Sequence, residues 1–161
     1  MIYIVMGVSG CGKSSIGQLL AEKLSGAFYD ADDFHTEASK QKMSNGIPLN
    51  DDDRQPWLEG LAQNMLEWEK DGDAVLACSA LKEKYRVTLS STLGDEVKFV
   101  YLHGTRELIA ERLNARAGHF MNPALLDSQF DTLEEPTDAI VVSIDASIEK
   151  IVADIVENIN A

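Results

Sequence analysis

The sequence predicts an α/β fold: a five-stranded parallel sheet with helices on both faces. Three observations carry that expectation. Five short apolar runs of strand length are separated by segments with helical periodicity. The first run leads straight into Gly7-Val8-Ser9-Gly10-Cys11-Gly12-Lys13-Ser14, which fits the phosphate-binding pattern G-x-x-x-x-G-K-[ST]. A chain of 161 residues with 45% hydrophobic content suits one domain with a sizeable core. In such sheets the site lies beyond the carboxyl ends of the strands, so the residues after each strand are the candidates.

Residues 1–6 form the first strand, and Ile16, Leu19, Leu20 and Leu24 recur at helical spacing behind the glycine loop. Residues 27–30 read as a second strand, leading into Asp32-Asp33-Phe34-His35. Residues 36–44 read as a short polar helix, and Asn45-Gly46-Ile47-Pro48 as a loop. A long helix follows, with an Asp from the Asp51-Asp52-Asp53 run as N-cap and Pro56 in its first turn. Trp57, Leu58, Leu61, Met65 and Trp68 give it a buried face, and Asp71-Gly72-Asp73 ends it. Residues 74–78 form the third strand, and Ser79 caps a helix over 80–90. The fourth strand spans 97–102, and Thr105 opens a helix with Leu108, Ile109 and Leu113 inward. Residues 117–123 interrupt that helix, and a short one covers 124–130. The fifth strand spans 139–144, and Ile148, Ile151, Val152, Ile155, Val156 and Ile159 stripe the last helix.

Composition narrows the function. Acidic residues outnumber basic ones, 27 to 14, for a net charge of -13. Nucleic acid and anionic membrane both demand a basic face, so neither is expected as a partner. An anionic substrate would need a local basic pocket. Two cysteines, Cys11 and Cys78, suggest neither a disulfide framework nor a zinc site and suit a reducing cytoplasm. The apolar start lacks the basic flank of a signal peptide, and no apolar run is long enough to span a bilayer.

The chemistry-bearing residues follow the strands. Gly7, Gly10 and Gly12 let the backbone turn sharply and bring N–H groups close to an anion, at a helix N-terminus that favours negative charge. Lys13 can reach the β- and γ-phosphates of a nucleoside triphosphate, and Ser14 can ligate Mg²⁺. Val8, Ser9, Cys11 and Ser15 complete the loop. After the second strand, Asp32 or Asp33 can accept a proton from a substrate hydroxyl and His35 can bond a polar substrate; equally, these residues can cap the next helix. After the third, Lys82 and Arg86 stand i, i+4, where like charges repel unless an anion or acid lies between them. Arg112 and Arg116 repeat that spacing. They either complement a helix C-terminus or clamp phosphate beside a lid at Ala117-Gly118-His119-Phe120.

These residues, together with Lys42-Met43-x-x-Gly46-x-Pro48-Leu49-x-Asp51-x-Asp53-Arg54-x-Pro56-Trp57-Leu58, resemble gluconokinase of the P-loop type. So do Cys78-Ser79-Ala80-Leu81-Lys82-x-x-Tyr85-Arg86, Gly118-His119-Phe120 and Ser128-Gln129-Phe130-x-x-Leu133-Glu134-x-Pro136. The resemblance covers nearly the whole chain in order. It implies a three-layer P-loop kinase fold, like that of shikimate and nucleoside monophosphate kinases, as one domain over 1–161 with a small lid at about 112–130. It implies ATP and Mg²⁺, phosphorylation of D-gluconate to 6-phospho-D-gluconate, and entry of that acid into carbohydrate catabolism; it is compatible with a homodimer. By position, Asp32 would be the base and, with Ser14, a metal ligand. His35, Arg54, Lys82, Arg86, His119 and Gln129 would line the sugar-acid pocket, and Arg112 and Arg116 would face the nucleotide. Two positions depart from the family: Ala31 replaces a usual Gly, and Cys11 replaces a usual Ser, which would put a thiol beside the phosphates where bound ATP should block its alkylation.

Other small acceptors remain alternatives, among them another sugar acid, shikimate or a nucleoside monophosphate. A nucleotide-binding switch without turnover is the different-class alternative; the Asn-Lys-x-Asp guanine-reading block of a GTPase is absent from the sequence.

Overall fold

The computed structural model describes residues 1–8, 10–115 and 123–160. Strands β1 (Ile2–Met6), β2 (Ala27–Asp30), β3 (Ala74–Ala77), β4 (Val97–His103) and β5 (Ile140–Ser143) form one sheet, in the order β2-β3-β1-β4-β5. Every described pairing is parallel, with Ile2 opposite both Ala74 and Val97. Among the described residues there are seven α-helices, the last of which follows β5: α1 (Lys13–Lys23), α2 (Glu37–Ser44), α3 (Asp51–Lys70), α4 (Glu83–Leu89), α5 (Arg106–Ala115), α6 (Pro123–Thr132) and α7 (Ile148–Ile159).

The central strand shows why this sequence makes three layers. All five residues of β1 are buried, and they alternate between two cores. Tyr3 and Val5 pack with Ile16 and Leu20 of α1 and Ile151, Val152 and Ile155 of α7. Ile2, Ile4 and Met6 pack on the other face with Leu58, Leu61 and Met65 of α3 and Leu89 of α4. A strand apolar at every position can be satisfied only with helices on both sides. The edge strands β2 and β5 are less buried, in keeping with their mixed composition.

Local chemistry shifts several boundaries. The cap of α3 is Asn50, whose side chain accepts from Asp53 N–H while the Asp53 carboxylate accepts from Asn50 N–H. That reciprocal box starts the helix at Asp51 and leaves Pro56 in its second turn. Ser79 caps no helix: Ala80 adopts φ 46°, and α4 begins only at Glu83, with Lys82 extended at its N-cap. The predicted helical face shared by Lys82 and Arg86 therefore does not form. No helix among the described residues is long and apolar enough to cross a membrane.

Candidate active site

A cleft of about 390 Å³ opens where β1, β2 and β3 end, lined by the glycine loop, the start of α1, Asp30, Asp32 and residues 77–79. The loop folds back over the end of β1: Gly7 N–H donates to Ser79 O at 3.3 Å and Cys11 N–H to Val8 O at 3.3 Å. Gly10 stands at φ 85°, and a Cβ there would fall 2.7 Å from Leu113 Cγ, so the turn needs glycine. Gly12, at φ 91°, is the N-cap of α1; it supplies no side-chain cap, and the first turn holds no acidic residue. The opening N–H groups of α1 thus lack a side-chain acceptor at the positive end of the helix dipole, which is a cradle for phosphate.

Lys13 Nζ donates to Gly7 O and Val8 O, each at 3.1 Å, and so rests on the rim of that cradle. Ser14 Oγ donates to Asp30 Oδ2 at 3.3 Å, while Asp30 Oδ1 accepts Asp32 N–H at 3.0 Å. Asp30 therefore links the start of α1 to the turn that carries Asp32. In the sequence Asp30 reads only as the last residue of a strand, although a carboxylate at a strand's carboxyl end marks a site candidate. Asp32 itself is 85% exposed, with Oδ1 at 3.7 Å from His35 Nε2.

His35 lies 9% exposed, stacked on Trp57 with ring centroids 4.2 Å apart. Burial lowers its pKa below the ordinary value, against the pull of Asp32, and the buried Nδ1 has no hydrogen-bond partner among the described residues. The imidazole is therefore neutral at pH 7, with a polar atom still to satisfy. Trp57, expected as plain core, is only half-buried; its Nε1–H donates to Ala31 O at 2.8 Å and holds the ring against His35. The departure at Ala31 is thus accommodated: the residue is buried and its carbonyl is used.

Arg54 and Lys82 meet at Asp51. Arg54 Nη1 lies 3.7 Å and Lys82 Nζ 3.9 Å from Asp51 Oδ1, and Lys84 Nζ pairs with Oδ2. The Tyr85 hydroxyl donates to Asp51 Oδ1 at 2.6 Å and accepts from Arg54 Nη1 at 3.3 Å. Hydrogen bonds from Lys84 and Tyr85 hold the Asp51 carboxyl down to about 2. Burial, reinforced by Asp51, pushes Tyr85 up to about 12. Neither Asp51 nor Tyr85 was among the expected site residues; the acid anticipated beside Lys82 turns out to be Asp51, from a helix thirty residues earlier in the chain.

Two expectations are corrected. Arg86 is 7% exposed, and its guanidinium donates to Ala80 O and Glu134 O, both at 2.7 Å. Arg86 thus braces the strained Ala80 turn against the segment after α6. The Cys11 side chain is fully buried in the core beneath Gly7, and burial raises its pKa. The Cys11 thiol therefore does not flank the phosphates; only the backbone of Cys11 belongs to the loop.

The remaining predicted residues are placed as follows. Val8 is buried and offers its carbonyl to Lys13, and Ser15 lines the cleft. Arg112 Nη2 donates to the carbonyl oxygens of Ile144 and Ala146, just past β5. Gln129 lies half-buried on α6, where its backbone carbonyl accepts from Leu133 N–H. Ser9, Arg116 and His119 lie outside the described residues, as does the Gly118-His119-Phe120 motif.

Comparison with known proteins agrees with this architecture. The shikimate kinase family model matches residues 9–160. A probable gluconokinase from Dictyostelium discoideum is 45% identical, covering 96% of this chain and 84% of its own length. The thermoresistant gluconokinase of Escherichia coli (strain K12) is 42% identical over 97% of this chain and 91% of its own. The crystal structure of a gluconokinase from Sinorhizobium meliloti 1021 superposes with a TM-score of 0.85 at 38% identity, covering 98% of this chain and 94% of that one. With a parallel sheet in this order, a glycine-loop cleft and relatives at this identity across almost all of its length, the chain belongs to the gluconokinase family, within the shikimate-kinase-like P-loop kinases.

Proposed function

We propose that the chain transfers the γ-phosphoryl group of ATP to the 6-hydroxyl of D-gluconate, with Mg²⁺. The observation that supports this reading best is one continuous run of groups. The phosphate cradle and Lys13 meet Ser14 and Asp30, then Asp32 and His35, and then the cations Arg54 and Lys82. A donor end that fits polyphosphate thus adjoins an acceptor end with two cations for one carboxylate and polar groups for hydroxyls.

In the step itself, the acceptor oxygen forms its bond to the γ-phosphorus as the bond to the β–γ bridging oxygen breaks, and ADP leaves. Asp32, exposed at the cleft mouth, takes the hydroxyl proton. His35 lies beside that carboxylate, with Nε2 3.7 Å from Asp32 Oδ1. The cradle and Lys13 stabilise charge that develops on the transferring group.

The residues fit Mg²⁺ only together with nucleotide. Among the described residues no three His, Cys, Asp or Glu side chains form a metal-holding group. Ser14 and Asp30, and Asp32 beside them, are hard oxygen donors next to the phosphate cradle, the arrangement for an ion that arrives with phosphates. When bound, the ion neutralises phosphate charge. Arg112, with Arg116 and the rest of the segment at about 112–130, would close over the nucleotide as a lid.

An acceptor panel tests the reading: ADP release from ATP and Mg²⁺ with gluconate, epimeric sugar acids, shikimate and a nucleoside monophosphate. Stimulation by gluconate above the others is expected; no stimulation above the acceptor-free rate contradicts it.

A further inference from the structure

The oxygens of Asp51 are spent on two groups and merely approached by two others. Oδ2 takes Lys84 Nζ, and Oδ1 takes the Tyr85 hydroxyl at 2.6 Å. Arg54 and Lys82 stand at 3.7 and 3.9 Å from Oδ1, inside ion-pair range and beyond hydrogen-bond range. Both also lie 5.7 Å from the Tyr85 ring centroid, and Lys82 Nζ makes no hydrogen bond to a described residue. Two cations are thereby held beside one ring, while most of their donors have no hydrogen-bond partner among the described residues. Without an anion between them they would repel and splay. Asp51 supplies that anion, and its carboxyl stays ionised at any working pH.

The cluster is continuous with the reaction centre. Arg54 lies close enough to His35 to oppose its protonation, and His35 contacts Asp32. We propose that Asp51 is a positioning residue: with the Tyr85 hydroxyl it gathers Arg54 and Lys82 into a two-cation fork whose free donors take the acceptor's carboxylate. The acceptor half of this inference rests on the gluconate reading above. The fork explains how a strongly acidic protein offers a local cationic pocket without loose like charges. It also gives Tyr85 a role: its proton goes to Asp51, which leaves a lone pair to fix Arg54.

Asp51→Asn keeps the size and the acceptor for Tyr85 but removes the charge. Because the pairs are partly exposed and screened, the KM for gluconate should rise about three- to tenfold, with kcat and the KM for ATP within about twofold of the parent. An unchanged or lower gluconate KM, or a fall in kcat at constant KM, overturns the proposal. A second readout needs no acceptor. Phenylglyoxal labelling of Arg54, located by peptide mass spectrometry, should run severalfold faster in Asp51→Asn; an equal rate overturns the fork. If the parent protein shows no gluconate-dependent turnover, the acceptor reading falls, and the labelling rate alone decides whether Asp51 holds Arg54. Should Asp51→Asn not fold, Tyr85→Phe removes the bridging hydroxyl at constant charge. It should move gluconate KM and Arg54 labelling in the same directions, and no movement in either overturns the proposal.

Discussion

Lys13 and Asp32 share one cleft, yet the same structure asks different things of them. Lys13 rests on loop carbonyls at 3.1 Å and is positioned to follow negative charge on the donor. Lys13→Ala should lower kcat by about 10²–10³-fold, as loss of a transition-state cation does, and near-normal kcat would remove it from the chemistry. Asp32→Asn should lower kcat by about 10²–10⁴-fold with gluconate binding preserved, read by comparing steady-state kcat with calorimetric affinity. A change in affinity alone would make Asp32 a binder. His35 supplies the pH dependence. Its burial lowers the folded pKa below the ordinary 6.5, so the unfolded chain binds this proton more readily. The associated stability is complete above that ordinary value and is lost as pH falls from it toward the lowered folded value. Denaturant melts at pH 7.5 and 5.5 should show a larger loss for the parent than for His35→Gln; equal losses would mean that His35 is not held neutral.

At the scale of elements, the turn between β3 and α4 is the piece that propensity could not foretell. Ala80 takes a left-handed conformation that alanine disfavours, and the cost is met by Arg86, which binds the carbonyls of Ala80 and Glu134. Glu134 also accepts Glu83 N–H and donates its own N–H to Leu81 O, so the segment after α6 is tied to the acceptor side of the cleft. Arg86→Met should leave two carbonyls unpaired and cost about 2–5 kcal/mol of unfolding free energy, measured by denaturant melts. Gluconate KM in the folded fraction should change little; a large KM change at parental stability would return Arg86 to the acceptor pocket. The regular elements were legible because their periodicity is strong, as in β1 and in the stripe of α7. The boundaries moved where side chains overrode pattern. The Asn50–Asp53 box started α3, and Arg86 pulled residues 80–82 out of the expected helix.

For the molecule as a whole, the donor half of the site could be read from one contiguous motif, because its chemistry is local: glycine conformation, a helix end, Lys13 and Ser14. The acceptor half could be only partly read, because it is assembled across the sheet. Asp30 looked like a strand end, Trp57 like core, and Asp51 like one of three acids at a helix start. Each acquires its role through a partner far away in sequence: Ser14 for Asp30, His35 for Trp57, and Lys82 and Tyr85 for Asp51. Cys11 misled for the converse reason, since its neighbours in sequence are loop while its side chain joins the core. In the proposed reaction, donor and acceptor halves act on one substrate pair, with the acceptor's primary hydroxyl at Asp32 and its carboxylate at Arg54 and Lys82. The most direct measurement is a proton-coupled phosphorus-31 spectrum of the product made from ATP, Mg²⁺ and D-gluconate. The expected product is a phosphate monoester whose signal is split by two methylene protons, at the end of the chain away from the carboxylate. A phosphate on a secondary carbon, on the carboxylate itself, or released only as inorganic phosphate would contradict it.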